Sequence, residues 1–322
     1  MKLLLIVPGA IGDFIVTLPS VAWLRQKLKP NHLEIWSERA NLPLAVSSGH
    51  ADRALALADS GLDRWPTPEQ VISRLKQFDR VISWHGASFP EWKEQMRRCV
   101  PRMAFLAGFP RDLELHAMDF RKRQVQSLFG ADDTFPFFPQ IEISREATRF
   151  AQENLAVEIG DARPMVVVHP GASSRRKQWG TDRFAHLVTL LTETSNQVLV
   201  CEGPLDHEVV NEVLASVPAH QLKTALRQIR VEDLMQLAAM IQCCRLYIGN
   251  DSGIGHLAAA TGIPTLSLFT LTNPAVWAPR GREVRVLQSP SVKEVVQVAA
   301  EMRSRNQRDG SSSGLPAMVP LQ

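Results

Sequence analysis

The stretch Tyr-Ile-Gly-Asn-Asp-Ser-Gly-Ile-Gly-His-Leu-Ala-Ala-Ala-Thr-Gly-Ile-Pro at residues 247–264 joins a short apolar strand to a helix of small residues through a polar turn. Backbone N–H groups at the start of such a helix point at whatever lies there, and the helix dipole favours negative charge. Gly253 and Gly255 lack a Cβ and would let the main chain approach a phosphate closely. This build predicts an anion-binding turn in an α/β protein.

Each polar side chain of this turn has a structural and a functional interpretation. Taken alone, Asp251 is explained by a helix cap, and His256 is more often a core histidine with hydrogen-bond partners than a ligand-binding residue. Because both fall in one turn with Ser252 and Gly253, we predict a ligand site.

A second loop, at residues 169–179, reads His-Pro-Gly-Ala-Ser-Ser-Arg-Arg-Lys-Gln-Trp and follows the apolar run Met-Val-Val-Val. Its hydroxyls, Ser173 and Ser174, and its three consecutive cations, which end with Lys177, could clamp a pyrophosphate. The alternative is a solvated basic loop with Trp179 packed in the core. The number of hydrogen-bond donors beside a Pro-Gly turn favours a pyrophosphate-binding site.

A third loop, Gly-Ala-Ile-Gly-Asp at residues 9–13, follows the apolar run Leu-Leu-Leu-Ile-Val. An Asp at a helix start is more often a simple cap, but an exposed carboxylate there could take a proton from a hydroxyl. Gly9, Gly12 and Asp13 are therefore candidates for one side of a cleft. The Gly-x-Gly-x-x-Gly fingerprint of dinucleotide binders is missing.

Length and element order indicate two α/β lobes. A chain of 322 residues exceeds what one core usually supports. Short apolar strands alternate with helical segments, and the alternation restarts at Met165. We predict a first Rossmann-like lobe at residues 1–158, a second at 159–303 and a disordered Ser/Gly-rich tail at 304–322.

Composition excludes several classes. The sequence contains no apolar run of about 18 residues, the length that a membrane-spanning helix needs. The first apolar run is interrupted at Pro8 and is too short for the core of a signal peptide. The net charge of +3 and the lack of aromatic-interleaved basic patterns argue against nucleic acid. No Cys-x-x-Cys pair or metal-ligand spacing occurs. Cys243 and Cys244, adjacent on an apolar helix face, are interpreted as core thiols in a reducing compartment, and we expect a cytoplasmic protein without a structural metal.

Positive charge is concentrated in residues 93–123, with eight basic against four acidic residues. This region is either an ordinary solvated face or a patch that binds anions or a membrane surface.

The three loops, in this order and spacing, resemble glycosyltransferase family 9, the ADP-heptose:lipopolysaccharide heptosyltransferases. The resemblance covers about residues 2–280. It rests on Gly-Ala-Ile-Gly-Asp at 9–13 with Thr-Leu-Pro at 17–19, His-Pro-Gly-Ala-Ser at 169–173 with Lys-Gln-Trp at 177–179, Asp-Ser-Gly at 251–253 with His-Leu-Ala-Ala-Ala at 256–260, and Phe269 with Trp-Ala-Pro at 277–279.

The resemblance implies a GT-B fold, in which two Rossmann-like doubly wound lobes face each other across a cleft. The first lobe, residues 1–158, would bind the acceptor and the second, residues 159–303, the nucleotide sugar, with a last helix that crosses back to the first lobe in many members. The resemblance also implies a metal-independent inverting glycosyltransferase without a cofactor. Asp13 would be the general base and Lys177 would neutralise the leaving diphosphate. Gly9 and Gly12 would form the acceptor-side loop. The donor-binding residues would be Ser173, Ser174, Glu208, Asp251, Ser252, Gly253 and His256, with Glu208 on the ribose and adenine near residues 229–232.

The implied substrates are an ADP-sugar donor and an anionic lipid-linked glycan acceptor. The protein would bind peripherally to the cytoplasmic face of the inner membrane. The chain departs from the family pattern at Val7, Gly180 and Glu202, which leaves open another donor sugar or acceptor. Two other classes also stay open: a non-catalytic nucleotide-sugar-binding module and, more weakly, an NAD-dependent oxidoreductase.

Overall fold

The structure is a computed structural model that describes residues 1–47, 49–86, 89–110, 115–155, 165–194 and 197–309. Within these residues it contains two parallel β-sheets, of five and six strands, each covered by helices on both faces. The predicted boundary between residues 158 and 159 lies outside the described residues, as does the part of the predicted tail from residue 310 onward.

The first sheet has the strand order β3-β2-β1-β4-β5, with every pair parallel. Its strands are β1 (Lys2–Val7), β2 (His32–Ser37), β3 (Arg53–Ala56), β4 (Arg80–Ser83) and β5 (Met103–Phe105). The helices described in this half of the chain are α1 (Ile11–Leu28), α2 (Leu42–Ser47), α3 (Leu57–Ser60), α4 (Glu69–Leu75), α5 (Pro90–Cys99), α6 (Ala117–Phe129) and α7 (Arg145–Leu155).

The second sheet has the order β11-β10-β9-β6-β7-β8 and is also fully parallel. Its strands are β6 (Met165–His169), β7 (Gln197–Glu202), β8 (Leu226–Arg230), β9 (Leu246–Asn250), β10 (Thr265–Phe269) and β11 (Val284–Gln288). Its helices are α8 (Thr181–Glu193), α9 (His207–Ala215), α10 (Ala219–Thr224), α11 (Leu234–Gln242), α12 (Gly253–Ala260), α13 (Pro274–Trp277) and α14 (Val292–Asp309).

Strand β1 shows why the strands are continuous apolar runs. Successive side chains of a strand point to opposite faces, and both faces of a parallel sheet are covered by helices. Leu3, Leu5 and Val7 pack into one buried cluster, whereas Leu4 and Ile6 pack into another on the opposite face. The predicted two-lobed α/β architecture is confirmed.

The two lobes meet through α1 and α12. Gly253 lies against the start of α1 so closely that a Cβ built on it would be 2.8 Å from Cβ of Ile11 and 3.0 Å from the backbone nitrogen of Gly12. One buried cluster contains residues of both lobes, among them Phe14 and Leu257. The backbone N–H of Ile141 also donates to the carbonyl of Ala260 at 3.1 Å.

Helix α7 packs on the second lobe although it precedes the predicted boundary. Its Ala147, Ala151 and Leu155 share a buried cluster with Leu237 and Ile241 of α11. At the other end of the chain, α14 continues to Asp309, six residues past the end expected from sequence. Its Val295, Ala299 and Met302 are buried in the core of the second lobe, so these residues do not make the expected crossing back to the first lobe.

Cysteine placement differs from the prediction in one position. Cys201 and Cys244 are buried and Cys99 is partly buried, but Cys243 is exposed because it caps the end of α11 instead of continuing its apolar face. None of the helices in the described part of the chain is long and apolar enough to cross a bilayer.

Candidate active site in the cleft between the lobes

The site lies where the strand order of each sheet reverses direction. In open α/β sheets, ligands bind outside the carboxyl ends of the two strands that flank this switch point. In the first sheet these strands are β1 and β4, and the loop at residues 8–13 follows β1. In the second sheet they are β6 and β9, followed by residues 170–179 and 251–253. The three predicted loops therefore converge at the two switch points.

A cavity of about 360 Å³ lies between the lobes at this position. We call it the transfer cavity. Among the residues predicted from sequence, it is lined by Gly12, Asp13, Ser173, Lys177, Asp251, Ser252, Gly253 and His256. Eight of the eleven predicted site residues are thus brought together from two lobes.

Asp13 sits at the third position of α1, facing the transfer cavity, and its Oδ2 accepts a hydrogen bond of 3.2 Å from the backbone N–H of Ala10. The carboxylate therefore caps the helix and faces the cleft at the same time. Burial raises the pKa of Asp13, while the charges of Arg121 and Lys177 and the Ala10 hydrogen bond oppose the rise. A carboxylate with a raised pKa is a stronger base.

Gly9 makes room for this carboxylate. Its φ of 111° lies in the region that favours glycine, and a Cβ there would be 2.8 Å from Oδ2 of Asp13.

Lys177 enters the cavity from the second lobe. Its Nζ lies 2.8 Å from Oδ2 of Asp251, whose side chain is only 7% exposed. The hydroxyl of Thr272 donates to the same oxygen at 2.6 Å. Because an ammonium has three donors, Lys177 keeps donors for an anion in the cavity. Asp251 thus holds Lys177 in place, a contact that the sequence did not predict.

Ser252 and Gly253 form the start of α12 at the floor of the cavity. Ser252 is the N-cap residue, and its hydroxyl accepts from the N–H of Gly255 at 3.4 Å. It also lies 3.3 Å from Nδ1 of His169, whose Nε2 is 3.0 Å from Oδ2 of the buried Asp206. The first N–H groups of a helix have no partner within it, so this end of α12 can bind a phosphate.

The two glycines of this turn differ in what they contact. Gly253 is required by the packing of α1 on α12 described above. A Cβ on Gly255 would instead meet its nearest atoms, in Tyr247, Asn250 and Pro279, at ordinary distances of 3.6 to 3.7 Å. Of the two glycines predicted to allow a close approach to the main chain, only Gly253 has protein atoms so close that a side chain would not fit.

His256 is buried at the contact of the two lobes and lines the cavity. A Cβ on Gly12 would lie 3.4 Å from its Cδ2. Burial lowers the pKa of His256 to about 4, so the ring is neutral at pH 7 and can offer one donor or one acceptor.

Arg121, on α6, is the residue of the basic region that departs from a solvated face. It is 2% exposed, its guanidinium carbon lies 5.2 Å from the ring centroid of Trp84, and its Nη1 has no hydrogen-bond partner. No carboxylate of the described residues lies within ion-pair distance of it. Burial lowers its pKa to about 10, which leaves it charged at pH 7.

Arg121 lines a second cavity, of about 440 Å³, together with Pro8, Gly9, Gly86 and Phe89. We call it the Arg121 cavity. It lies at the switch point of the first sheet, after β1 and β4, and Gly9 joins it to Asp13. A buried cation without a carboxylate beside a cavity is suited to bind an anionic group.

Two predicted donor residues lie outside the lining of the transfer cavity. Ser174 is exposed at the start of the 3₁₀ turn Arg175–Lys177. Glu208, at the start of α9, is exposed and pairs with Arg175 at 2.7 Å. Gly9 lines the Arg121 cavity instead.

Sequence reasoning did not single out Ala10, Val16, Thr272 or Trp277 as site residues, although all line the transfer cavity. Thr272 follows the carboxyl end of β10, so the rule that located the other loops could have found it. Within the described residues, no group of three or more His, Cys, Asp or Glu side chains is placed to hold a metal ion.

Two parallel-sheet lobes that face each other across a cleft lined by a helix start, a lysine and a carboxylate are typical of two-lobed transferases that act on nucleotide-activated substrates. The family model of glycosyltransferase family 9 (heptosyltransferase) matches residues 120–305. The chain therefore belongs to this family of glycosyltransferases.

Two curated relatives are similar to this chain over most of its length. The chain is 23% identical over 311 residues to lipooligosaccharide heptosyltransferase 2 of Haemophilus ducreyi, covering 89% of this chain and 88% of that one. It is 27% identical over 315 residues to lipopolysaccharide heptosyltransferase 2 of Salmonella typhimurium, with the same coverage.

Among solved structures, the E. coli ADP-heptose lps heptosyltransferase II superimposes with a TM-score of 0.78 at 19% identity, covering 95% of this chain and 100% of that one. E. coli heptosyltransferase WaaC with ADP gives 0.67 at 16% identity, with coverages of 94% and 100%. These likenesses establish the GT-B fold.

Proposed function

We propose that this protein transfers heptose from ADP-heptose to an anionic saccharide of the lipopolysaccharide inner core, with inversion at the anomeric carbon and without a metal ion. One observation carries the proposal: Asp13 of the first lobe and Lys177 of the second line the same cavity. The names of the relatives support the donor and the acceptor class.

In the proposed step, an acceptor hydroxyl oxygen attacks the anomeric carbon as its proton passes to the carboxylate of Asp13. The bond from the anomeric carbon to the β-phosphate oxygen breaks, and ADP leaves with that electron pair. Burial raises the pKa of Asp13 and therefore its basicity, while the charges of Arg121 and Lys177 favour the ionised carboxylate.

The leaving diphosphate gains negative charge during this step. Lys177, held by Asp251, supplies a fixed positive charge at the cavity wall. Ser252 and Gly253 add the N-terminal dipole of α12 at its floor, and Ser173 adds a hydroxyl. Donors that are already oriented towards developing charge need little reorganisation in the transition state.

The nucleoside is assigned to the carboxyl ends of β7 and β8, next to the loop at residues 169–179. Glu208 projects there from α9 and is proposed to bind the ribose, with the exposed Ser174 on the diphosphate and adenine beside residues 229–232. The buried Glu202 is proposed to shape this pocket, since it accepts hydrogen bonds from His207, at 3.0 Å, and from Gln228.

The acceptor is assigned to the first lobe. Arg121, whose Nη1 has no hydrogen-bond partner, lines a cavity that also contains Gly9, the neighbour of Asp13, and its positive charge suits a carboxylate or phosphate near the reacting hydroxyl. Arg97, Arg98 and Arg123 are exposed on α5 and α6 and are proposed to favour peripheral contact with the anionic cytoplasmic face of the inner membrane.

Two measurements test this function. In calorimetric titrations with EDTA present, the protein should bind ADP more tightly than UDP, GDP or NAD. Incubation with ADP-heptose and deacylated core oligosaccharide should then release ADP and give a product of inverted anomeric configuration by NMR. Preference for UDP or GDP would keep the fold and replace the donor, and selective binding of NAD without transfer would overturn the function.

A further inference from the structure

A third cavity, of about 490 Å³, opens on the first lobe beside the Arg121 cavity. We call it the aromatic cavity. It lies between residues 62–65, in the loop after α3, and His85 and Phe89 with the start of α5. Trp65, His85, Phe89 and Trp92 supply its rings, and Asp63 and Glu91 supply carboxylates.

The rings of this cavity are of two kinds. Trp92 is buried and contacts His85 edge-on, with ring centroids 5.5 Å apart, so it forms a fixed floor. Trp65 and Phe89, by contrast, are 57% and 63% exposed. Large aromatic side chains in water lose the benefit of burial, and a cluster of them around a concave surface marks a binding site.

The walls of the cavity are tied to each other. His85, after β4, lies 3.2 Å from Oδ1 of Asp63 in the loop after α3. This contact joins the two segments that carry Trp65 and Phe89. The contact links the two sides of the cavity without a ligand, and such preorganisation lowers the entropy lost on binding.

The aromatic cavity adjoins the proposed acceptor path. Phe89 lines both the aromatic cavity and the Arg121 cavity, and Gly9, which lines the Arg121 cavity, lies beside the carboxylate of Asp13. A chain molecule with its reacting hydroxyl at Asp13 and an anionic group at Arg121 would place its next unit against Phe89 and Trp65.

The chemistry of the cavity selects the occupant. The C–H face of a pyranose ring is apolar and slightly positive, so it packs well on the negative face of an indole or phenyl ring. The hydroxyls at the edge of such a ring donate to carboxylates such as those of Asp63 and Glu91. Among the described lining residues there are two carboxylates and one permanent cation, Arg64. This excess of negative charge disfavours an anionic sugar or an anionic lipid surface.

We infer that the aromatic cavity binds a neutral sugar ring of the acceptor glycan, adjacent to the unit whose anionic group lies at Arg121. This inference rests on the proposed glycosyl transfer and extends it. The smallest acceptor recognised in full is then two sugar units, one bound through charge and one through stacking.

The test combines truncation of the protein with truncation of the acceptor. Wild type and Trp65→Ala are assayed with a deacylated core oligosaccharide and with the same oligosaccharide shortened by its neutral sugar. Trp65→Ala should raise KM for the longer acceptor by about tenfold, as expected for the loss of one aromatic contact. The kcat and the KM for the donor should be the same in wild type and Trp65→Ala. With the shortened acceptor, all constants of the two proteins should agree, because the shortened acceptor already lacks the sugar that Trp65 would contact.

Phe137→Ala provides the control, since Phe137 is 85% exposed and does not line any of these three cavities. Equal KM values of wild type and Trp65→Ala for the longer acceptor would overturn the inference. If Trp65→Ala instead weakens sedimentation with phosphatidylglycerol vesicles while those KM values stay equal, the cavity contacts membrane and the inference is wrong.

A binding measurement separates this inference from the proposed function. Protein labelled with 5-fluorotryptophan is titrated with the deacylated oligosaccharide, and the ¹⁹F resonance absent from Trp65→Phe is followed. A saturable shift supports the sugar site even if no transfer occurs, in which case only the proposed reaction fails. An unchanged Trp65 resonance in an enzyme that transfers sugar to this oligosaccharide would refute the site alone.

Discussion

Replacement of Gly253 by alanine tests whether the contact between α1 and α12 sets the geometry of the cleft. The new Cβ would lie 2.8 Å from Cβ of Ile11 and 3.0 Å from the nitrogen of Gly12. Carbon atoms in favourable contact are about 3.5 to 4.0 Å apart, so the two helices must separate by roughly 1 Å.

The expected effects on stability and on activity differ in size. Overpacking of this kind costs about 1 to 3 kcal/mol, and the higher helix propensity of alanine offsets about 1 kcal/mol of it. The net loss in free energy of unfolding should therefore be at most about 2 kcal/mol. A displacement of about 1 Å between catalytic groups can lower the rate about a hundredfold, so kcat/KM should fall by about that factor.

Urea unfolding and initial-rate assays on the same preparations measure the two quantities, and Gly255→Ala is the matched control. A Cβ at Gly255 meets protein atoms only at 3.6 Å or more, so this variant should be as stable and as active as wild type. Wild-type activity of Gly253→Ala would refute the claim that this contact positions the two halves of the site.

Three further predictions concern the charges of the cleft. Lys177→Ala should weaken ADP binding about 10- to 100-fold in calorimetry, because a hydrogen bond to a charged group contributes about 1.5 to 3 kcal/mol; unchanged affinity would remove Lys177 from the donor site. Arg121→Gln should move the acidic limb of the kcat/KM profile to higher pH, since the Arg121 charge lowers the pKa of Asp13 and the base acts only when ionised; an unmoved limb would separate the two residues. Asp119→Asn breaks the ion pair with Arg280 across the lobes, in which Oδ1 and Nη1 are 2.8 Å apart. Because both side chains are about one-third exposed, the free energy of unfolding in urea should fall by at most about 1 kcal/mol. A loss above about 3 kcal/mol would contradict this.

Local sequence predicted the strands and the loops that carry the site. The switch from apolar runs to Gly-rich turns at residues 8–13, 170–179 and 251–253 depends only on near neighbours in the chain. The carboxyl ends of parallel strands meet at one edge of a sheet, so the grouping within each lobe also followed.

Features that depend on distant contacts were not predictable from sequence. Burial of Arg121 over Trp84 results from the packing of α6 beside β4, and its position among other basic residues could not distinguish a solvated face from a patch that binds anions or a membrane. The packing of α7 on α11 and the need for a glycine at 253 likewise depend on how the lobes meet. No local pattern encodes that arrangement.

Asp13→Asn tests the central claim, that the cavity between the lobes performs transfer with Asp13 as the base. Asparagine keeps an oxygen for the Ala10 N–H but cannot accept the acceptor proton. Because burial raises the pKa of Asp13 above its unfolded value, the side chain stabilises the fold only at low pH, and that contribution is lost as pH rises through the folded pKa. The variant should therefore unfold at pH 7 at the same or a higher urea concentration than wild type.

The decisive measurement is the single-turnover rate of transfer from ADP-heptose to the deacylated oligosaccharide by Asp13→Asn, with Asp59→Asn as an exposed control in the same lobe. Loss of a general base should slow this rate by at least about a hundredfold while the Kd for ADP stays within about twofold of wild type. A rate close to that of wild type, with intact ADP binding, would contradict the account.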